Sequence, residues 1–383
     1  MNYRLEEIFD LQMGKTPSRN NPAYWQSKDN KWISIADLTK SDKYIENTKE
    51  YISDKAVEES GISLIPANTV IMSFKLSIGK TAITTEPMYS NEAIMSFRDK
   101  HLVDLLPDYI YYLLSGKKWE KDTNKAVMGK TLNKATLSNV IVNIDNINKQ
   151  KEIVSRLDEL NSIIANRKKE LQKLDELIKA RFVEMFGDMI LNPNGWNVFR
   201  LGDLCDVRDG THDSPKYYQR GYPLVTSKNV TNGQIDFSDC NLICEEDYKK
   251  INKRSKVDLG DIIMPMIGTV GNPVIVDINA EFAIKNVALI KFKKESLVLN
   301  SFIRVLLESD YFDRAVIDTV RGGTQKFISL GDIRNLKICL PPIEKQKYFS
   351  LFVQQVDKSK FVVQQALNKT QLLFDSLMQK YFG

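Results

Sequence analysis

The fold of this chain is decided by two matching stretches, Lys149-Gln150-Lys151 and Lys345-Gln346-Lys347, which lie 196 residues apart. Each opens a segment without proline or glycine, residues 149–186 and 344–382. Apolar residues recur along both segments at alternating steps of four and three. This 3.5-residue period is typical of a long helix that pairs with another helix through a narrow apolar seam.

We predict that the two long helices pair with each other. Polar residues interrupt the apolar series at only three positions, Arg167, Lys360 and Thr370. A wider apolar stripe would be expected if each helix packed only against its own domain, and that arrangement remains the alternative. The helix-pairing residues of the first helix are Ile153, Leu157, Leu160, Ile164, Leu171, Leu174 and Ile178. Those of the second helix are Phe349, Val353, Val356, Val363, Leu367, Phe374 and Leu377.

Shorter matches, in the same order along the chain, extend the repeat to both halves. Leu5-Glu6-Glu7-Ile8-Phe9 returns as Leu201-Gly202-Asp203-Leu204-Cys205, and Gly14 returns as Gly210. Because the offset drifts by only a few residues, the pattern indicates a duplicated, domain-sized module with changes in its loops.

Each half begins with short β-branched and apolar runs bounded by glycine, proline and asparagine, and ends with one long helix. The predicted class is therefore α+β, with a strand-rich domain before each helix. We expect domains at residues 1–148 and 188–343 and helices at residues 149–187 and 344–383. Expected strands are residues 32–38, 69–74, 93–97, 139–144, 261–264, 288–292 and 336–340. Shorter helices are expected at residues 108–114 and 301–307.

Composition excludes several classes of protein. Apolar residues make up 43% of the chain and charged residues 27%, as in ordinary globular domains. No apolar run reaches the length of a membrane span, and the first residues lack the apolar core of a signal peptide. Four cysteines in 383 residues do not suggest a disulfide framework. We therefore expect a cytoplasmic protein without a membrane segment. Its net charge of +5 is compatible with nucleic acid.

Catalytic and cofactor motifs are incomplete. Gly-Lys-Thr occurs at residues 14–16, 79–81 and 129–131, but none has the earlier glycine that a phosphate-binding loop requires. Asn21-Pro22-Ala23-Tyr24 resembles a methyltransferase motif without its second proline, and we interpret it as a turn. Cys240 and Cys244 lack a second ligand pair for zinc, so we assign them to a loop and to the core. The sequence predicts no catalytic site, cofactor site or metal site in this chain.

Two similar domains on paired helices suit a target with approximate two-fold symmetry, such as double-stranded DNA. The long loops of the two halves differ in sequence, so each domain would read a different part of that target. Lysine, arginine, asparagine and glutamine in these loops are the residue types that contact phosphates and base edges. The DNA-binding candidates are Lys15, Arg19, Lys75, Lys80, Lys130, Lys134, His212, Lys216, Lys228, Asn229, Arg321, Gln325 and Lys326.

These features together resemble the specificity subunit of type I restriction–modification systems, and the resemblance covers nearly the whole chain. It is based on the duplicated order, on Gly14-Lys15-Thr16-Pro17, on Gly322-Gly323-Thr324-Gln325-Lys326, and on Leu340-Pro341-Pro342 before the second helix. In the first half Ile144-Asp145-Asn146 replaces the two prolines, which would make that helix start less rigid.

The resemblance implies two target recognition domains related by a pseudo-two-fold axis, with the helices pairing as an antiparallel coiled coil that sets their spacing. It also implies a non-catalytic subunit. Two modification (methyltransferase) subunits would methylate adenine, and restriction/translocase subunits would join them for cleavage. S-adenosylmethionine, ATP and Mg²⁺ would then bind in those partner subunits. A coiled-coil adaptor with two protein-binding domains is the main alternative, and a stand-alone DNA methyltransferase is another.

Overall fold

The structure is a computed structural model that describes residues 1–75, 77–119, 124–126, 129–231, 233–267, 270–293, 295–317 and 327–383. The chain divides into two compact units. Unit 1 contains residues 1–167 and 365–383, and unit 2 contains residues 168–364. Both long helices therefore contribute one segment to each unit.

Unit 1 contains short strands and helices followed by the first long helix. Its strands are β1 (Asn2–Arg4), β2 (Phe9–Met13), β3 (Asn30–Ile33), β4 (Tyr44–Ile45), β5 (Glu50–Ile52), β6 (Val70–Ser73), β7 (Thr81–Thr84), β8 (Tyr89–Ser90), β9 (Ile94–Asp99), β10 (Asn124–Ala126), β11 (Gly129–Thr131) and β12 (Ile141–Asn143). Its helices are α1 (Leu5–Ile8), α2 (Ile35–Lys40), α3 (Asp54–Ser60), α4 (Pro107–Gly116), α5 (Lys134–Ser138) and the start of α6 (Ile147–Phe186).

Two sheets form the centre of unit 1. The larger has the order β2-β9-β6-β7-β4, and the smaller has the order β5-β3-β8. In the smaller sheet β3 pairs antiparallel with β5 and parallel with β8. Apolar side chains of the larger sheet pack against α4 and the first turns of α6, where Tyr109 and Leu157 are fully buried.

Unit 2 repeats the main elements of unit 1. Its strands are β13 (Val198–Arg200), β14 (Asp206–Asp209), β15 (Tyr222–Val225), β16 (Val230–Thr231), β17 (Gln234–Ile235), β18 (Asn241–Ile243), β19 (Ile262–Pro265), β20 (Val274–Ile275), β21 (Ala283–Ile284), β22 (Val287–Lys291) and β23 (Lys337–Cys339). Its helices are α7 (Leu201–Leu204), α8 (Glu245–Ser255), α9 (Asn300–Leu307), α10 (Asp310–Phe312), α11 (Leu330–Asn335) and the start of α12 (Ile343–Phe382).

The strand order of unit 2 matches that of unit 1 except that its larger sheet, among the described residues, has no counterpart of β4. The larger sheet is β14-β22-β19-β20 and the smaller is β18-β15-β21, with β15 antiparallel to β18 and parallel to β21. The predicted α+β class and the duplication are therefore confirmed. The strands predicted from β-branched runs are present with ends shifted by at most two residues, except for residues 32–38.

That prediction was wrong because residues 32–38 change from strand to helix. The strand β3 ends at Ile33, and Ser34 caps α2: its hydroxyl accepts from the Asp37 amide at 3.1 Å, and the Asp37 carboxylate accepts from the Ser34 amide at 3.0 Å.

The assignment of Cys240 and Cys244 to a loop and to the core was half wrong. Both are partly exposed, and Cys244 precedes the first turn of α8.

Segments of the two long helices pack together within each unit. In unit 2, Phe182 and Phe186 of α6 lie 5.6 and 5.2 Å from Phe349 of α12, measured between ring centroids, while Asp175 pairs with Lys360 farther along α12. Higher numbers on α6 thus meet lower numbers on α12, which is an antiparallel arrangement. In unit 1, Arg156 reaches the Tyr381 hydroxyl at 3.3 Å.

A buried glutamine fixes the start of each long helix and gives the repeated Lys-Gln-Lys its structural reason. Gln150 accepts a hydrogen bond from the Leu106 amide at 3.0 Å and donates to the Asp104 and Asp145 carbonyls, both at 2.8 Å. Gln346 likewise accepts a hydrogen bond from the Leu299 amide at 2.9 Å. It donates to the Leu297 and Pro341 carbonyls at 3.1 and 2.8 Å. Both glutamines are fully buried. The first helix, predicted to start less rigidly, has an additional cap, because Asn146 accepts from the Lys149 amide at 3.0 Å.

Neither long helix contains a stretch apolar enough to span a bilayer, and the same holds for the other helices in the described ranges. Among the described residues, no cluster of three or more histidine, cysteine or acidic side chains could hold a metal ion.

Candidate nucleic-acid interface

Four strand ends of unit 1 meet at one edge of the larger sheet. The register pairs Met13 with Met95 and Ser73 with Ile94, so β2 and β6 end where β7 and β9 begin. The loops that leave this edge carry Lys15, Lys75 and Lys80. The segment before α5 joins them, because the Leu132 amide donates to the Phe74 carbonyl at 3.1 Å. Candidates that are far apart in sequence therefore lie around one edge.

A tight backbone crossing explains why glycine recurs at positions 14 and 210. A side chain on Gly14 would place its Cβ atom 2.2 Å from the Ser90 carbonyl oxygen, and one on Gly210 would place it 2.2 Å from the Ile284 carbonyl oxygen. Such distances are far inside van der Waals contact, so only glycine fits. The crossing holds the loop that follows against the rim of the sheet in both units.

Several cations of unit 1 are already engaged by the protein. The Lys15 ammonium donates to the Ser60 carbonyl. The Arg19 guanidinium pairs with both carboxylate oxygens of Glu50 and stacks over Trp25, 3.7 Å from the ring centroid. This held geometry makes Arg19 a rigid element of the loop. Fewer N–H donors of its guanidinium group are then available for a second partner.

The other cations of unit 1 are less constrained. Lys80 is exposed after the turn that joins β6 to β7, and Lys134 is exposed in the first turn of α5. Lys75 is half-buried, with its ammonium 5.4 Å from the Phe74 ring centroid. The backbone of Lys130 lies in β11, and its side chain lies outside the described residues.

Unit 2 has the corresponding edge, where β14 and β19 end and β20 and β22 begin. His212 lies there between two acceptors: one ring nitrogen is 2.9 Å from the Asn286 side-chain oxygen, and the other is 2.7 Å from a carboxylate oxygen of Asp209. Asp209 is buried, and its other carboxylate oxygen pairs with Arg254. His212 is therefore held in place with two-thirds of its side chain exposed.

Arg254 and Lys285 were not among the candidates predicted from the sequence. Arg254 ends α8 and reaches the edge through Asp209, while Lys285 lies in the turn before β22 and donates to the Ser214 hydroxyl at 2.5 Å. Neither residue stands in a glycine-flanked loop, so only the fold brings them to the edge. The basic run at the end of α8, Lys253-Arg254, was the only sequence signal.

Asn229 must be removed from the candidates. Its side chain is 2% exposed, and its oxygen accepts from the Thr226 amide at 3.0 Å and from the Thr226 hydroxyl at 2.9 Å. Its amide nitrogen donates to the Asp236 carbonyl at 3.3 Å. A side chain that closes its own turn in this way cannot reach a base. Its neighbour Lys228 is exposed but pairs with Asp239 at 3.1 Å.

The remaining candidates of unit 2 fall into two groups. Lys216 is exposed in the loop after β14. Arg321, Gln325 and Lys326 lie outside the described residues. The described chain resumes at Phe327, which forms a bridge with Ile267, the second residue after β19.

The predicted helix-pairing residues all lie on the packed faces of the long helices. They are buried or half-buried in the unit to which each belongs. In unit 1 they are Ile153, Leu157, Leu160, Ile164, Leu367, Phe374 and Leu377. In unit 2 they are Leu171, Leu174, Ile178, Phe349, Val353, Val356 and Val363. The series missed Phe182 and Phe186, which continue it and are fully or almost fully buried.

Comparisons with known proteins agree with this duplicated architecture. A family model described as "Type I restriction modification DNA specificity domain" matches the chain twice, at residues 1–176 and 193–370. The type I restriction enzyme MjaIX specificity subunit of Methanocaldococcus jannaschii is 26% identical over 98% of this chain and 91% of its own length. The EcoBI specificity subunit of Escherichia coli is 23% identical over 91% of this chain and 78% of its own length.

Solved structures show the same fold at lower sequence identity. The type I restriction–modification S subunit of M. genitalium matches the whole chain and 96% of its own chain, with a TM-score of 0.53 and 14% identity. A chain from a structure described as "Structural basis underlying complex assembly and conformational transition of the type I R-M system" matches with a TM-score of 0.57 and 16% identity, over the whole chain and 97% of its own. With its two family matches, this protein belongs to the specificity subunits of type I restriction–modification systems, a family that recognises DNA sequence and is itself non-catalytic.

Proposed function

We propose that the chain reads a bipartite target in double-stranded DNA, with one part assigned to each unit. The proposal rests on the sheet edge that both units repeat. At this edge the backbone crosses closely at Gly14 in unit 1 and at Gly210 in unit 2. The two edges share their backbone frame and carry different side chains. Such an arrangement suits two domains that each recognise a different DNA sequence.

The proposal assigns the cations of these edges to DNA. Lys80, Lys134 and Lys216 are exposed and suited to phosphates, while Lys75, His212 and Lys285 lie close to the rim of the sheet. Lys15 and Arg19 would position the loop that carries them. Lys130, Arg321, Gln325 and Lys326 stay in the proposal on the strength of the sequence alone.

The wider assembly belongs to the same proposal. Residues 1–148 and 188–343 would be the target recognition domains, and residues 149–187 and 344–383 the helices that set the spacing between the two parts. Two modification subunits would bind the chain and methylate adenine with S-adenosylmethionine. Restriction/translocase subunits, with ATP and Mg²⁺, would join for cleavage.

Methylome sequencing tests the function directly. A host that expresses the modification partner is sequenced with this chain and without it. We expect a split N6-methyladenine motif that is present only with the chain. If the modification subunit is functional and the chain is stably expressed, but no chain-dependent motif is found, the proposal is contradicted and the adaptor with two protein-binding domains becomes the better account.

A further inference from the structure

The loop that follows β14 in unit 2 presents five consecutive exposed residues, Lys216-Tyr217-Tyr218-Gln219-Arg220, here called the 216–220 segment. Tyr217 is 47% exposed and Tyr218 is 45% exposed. Within the described part of the chain, the five side chains have no hydrogen bond, ion pair or ring contact. Two neighbouring tyrosines and an arginine that are exposed on the protein surface suggest a contact with another molecule.

The backbone on both sides of the segment is fixed. Before it, the Ser214 hydroxyl accepts from Lys285 at the sheet edge, at 2.5 Å. Within it, the Tyr218 amide donates to the Leu242 carbonyl of β18 at 2.9 Å. After it, a side chain at Gly221 would place its Cβ atom 2.1 Å from the Ile243 carbonyl oxygen, and the ring of Tyr222 stacks on that of Tyr248 at 4.0 Å. A loop anchored in this way loses little conformational entropy when its side chains bind.

The corresponding loop of unit 1 is used differently. There the arginine, Arg19, is paired with Glu50 and stacked on Trp25, and the Tyr24 hydroxyl donates to Glu59. The hydrogen bond to Glu59, with some burial, raises the pKa of Tyr24. Arg19, Tyr24 and Trp25 of that loop are therefore engaged with the protein itself. Those of the 216–220 segment remain available.

We propose that Gln219 and Arg220 are specificity-determining residues that read base edges in the part of the target assigned to unit 2. An arginine fork matches the two acceptors of guanine in the major groove, and a glutamine amide matches adenine. Lys216 and the tyrosine hydroxyls would hold the adjacent phosphates. The exposed carboxylate of Asp213 lowers the net charge of the same loop, which argues against a purely electrostatic contact. This inference rests on the proposed DNA-reading function.

The test is a selection from randomised duplexes, using the full chain with its modification partner. Wild type is compared with Gln219→Ala, Arg220→Ala and Arg220→Lys, which keeps the charge and loses the fork. Arg200→Ala is the matched control, because Arg200 is an exposed arginine at the end of β13, before α7, and lies outside the 216–220 segment. We expect each segment variant to lose about 5- to 100-fold of its preference at one or two positions in one part of the target. The other part should be unchanged, and the remaining positions of the same part should also be unchanged, which shows that unit 2 of the variant is folded.

Arg220→Lys should lose the guanine preference while its salt dependence stays like that of wild type. The control should have the wild-type profile. Variants with an unchanged profile would overturn the inference and leave the proposed function intact. A uniform loss of affinity at every position, with a shallower salt dependence, would also overturn it, because it would indicate a phosphate contact only. If wild type selects no sequence, the proposed function itself fails.

Discussion

The two units share a frame and differ in what they present from it. Each has a larger sheet with the same order in its first four strands, a glycine at the backbone crossing and a buried glutamine at the start of a long helix. Both units have an exposed arginine in this loop, but Arg19 of unit 1 pairs with Glu50 and stacks on Trp25, whereas Arg220 of unit 2 has no side-chain partner among the described residues. Residues are therefore repeated where the backbone geometry permits only one residue type, and they vary where side chains face outward.

The crossing glycines should give the largest effect. Gly14→Ala or Gly210→Ala places a methyl group against a carbonyl oxygen, which must move the backbone and should cost about 3 kcal/mol or more. Hydrogen exchange should locate the loss in unit 1 for Gly14→Ala and in unit 2 for Gly210→Ala.

The control for this experiment is Gly331→Ala. A side chain there meets only the Ser329 hydroxyl at 3.4 Å, in the first turn of α11. Alanine should leave stability unchanged or raise it by about 0.5 kcal/mol. If the crossing variants are as stable as this control, the close approach does not determine the frame.

The buried glutamines should follow in size. Gln150→Met removes three hydrogen bonds and leaves the Leu106 amide and two carbonyls without that partner, which should cost about 2–3 kcal/mol. Gln346→Met should cost a similar amount in unit 2. Denaturant unfolding measures both, with the exposed Gln172→Met as a control near zero. A large effect in one unit and none in the other would show that the two frames are not equivalent.

An ion-pair network of unit 1 should have a smaller, pH-dependent effect. Lys43 pairs with Asp108 and with Asp158 of α6, both at 2.6 Å. Burial alone would raise the pKa of Asp108, but hydrogen bonds from Lys43 and Tyr44 and the charge of the lysine hold that pKa below its usual range. A carboxyl with a lowered pKa stabilises the fold above its unfolded pKa, and this contribution is lost as the pH falls through the folded value.

Lys43→Met should therefore cost about 1–2 kcal/mol at neutral pH, since both carboxylates are partly exposed and screened. The difference from wild type should shrink as the pH falls below about 4, near the usual pKa of aspartate. This can be checked by measuring the free energy of unfolding from about pH 3 to about pH 7, a range that includes the usual aspartate pKa. A difference that does not depend on pH would show that the lysine acts through packing.

The smallest effect is expected at a polar break in the helix seam. Lys360 pairs with Asp175 in unit 2, and the two side chains are 28% and 55% exposed. Such pairs contribute little, so Lys360→Met should change the free energy of unfolding by about 0.5 kcal/mol or less. A loss of 2 kcal/mol or more, which is far above the roughly 1 kcal/mol limit for exposed pairs, would mean that this break specifies the pairing of the helices.

Local periodicity made the helices and most strands predictable from the sequence. The seam series ended too early, before Phe182 and Phe186, because only the packing shows that the aromatic pair continues it. The capping pair Ser34 and Asp37 was a readable signal for α2 that β-branched neighbours concealed.

The candidate interface was less predictable because it gathers residues from distant segments. Strand pairing alone brings Gly14 and Lys80 to the same edge of the larger sheet of unit 1. Lys285 and Arg254 come to the other edge from the turn before β22 and the end of α8. Asn229 looked like a reading residue in the sequence, yet it closes the turn begun by Thr226. Thr226 and Asn229 have the same capping-pair spacing as Ser34 and Asp37, so this signal was present in the sequence and was overlooked.

One measurement tests the central claim, that each unit reads its own part of the target. Residues 1–148 are replaced by a second copy of residues 197–344, and the methylated motif is sequenced with the modification partner present. The account predicts a motif built from two copies of the part that unit 2 reads. Persistence of the original motif, with its two different parts, would contradict it.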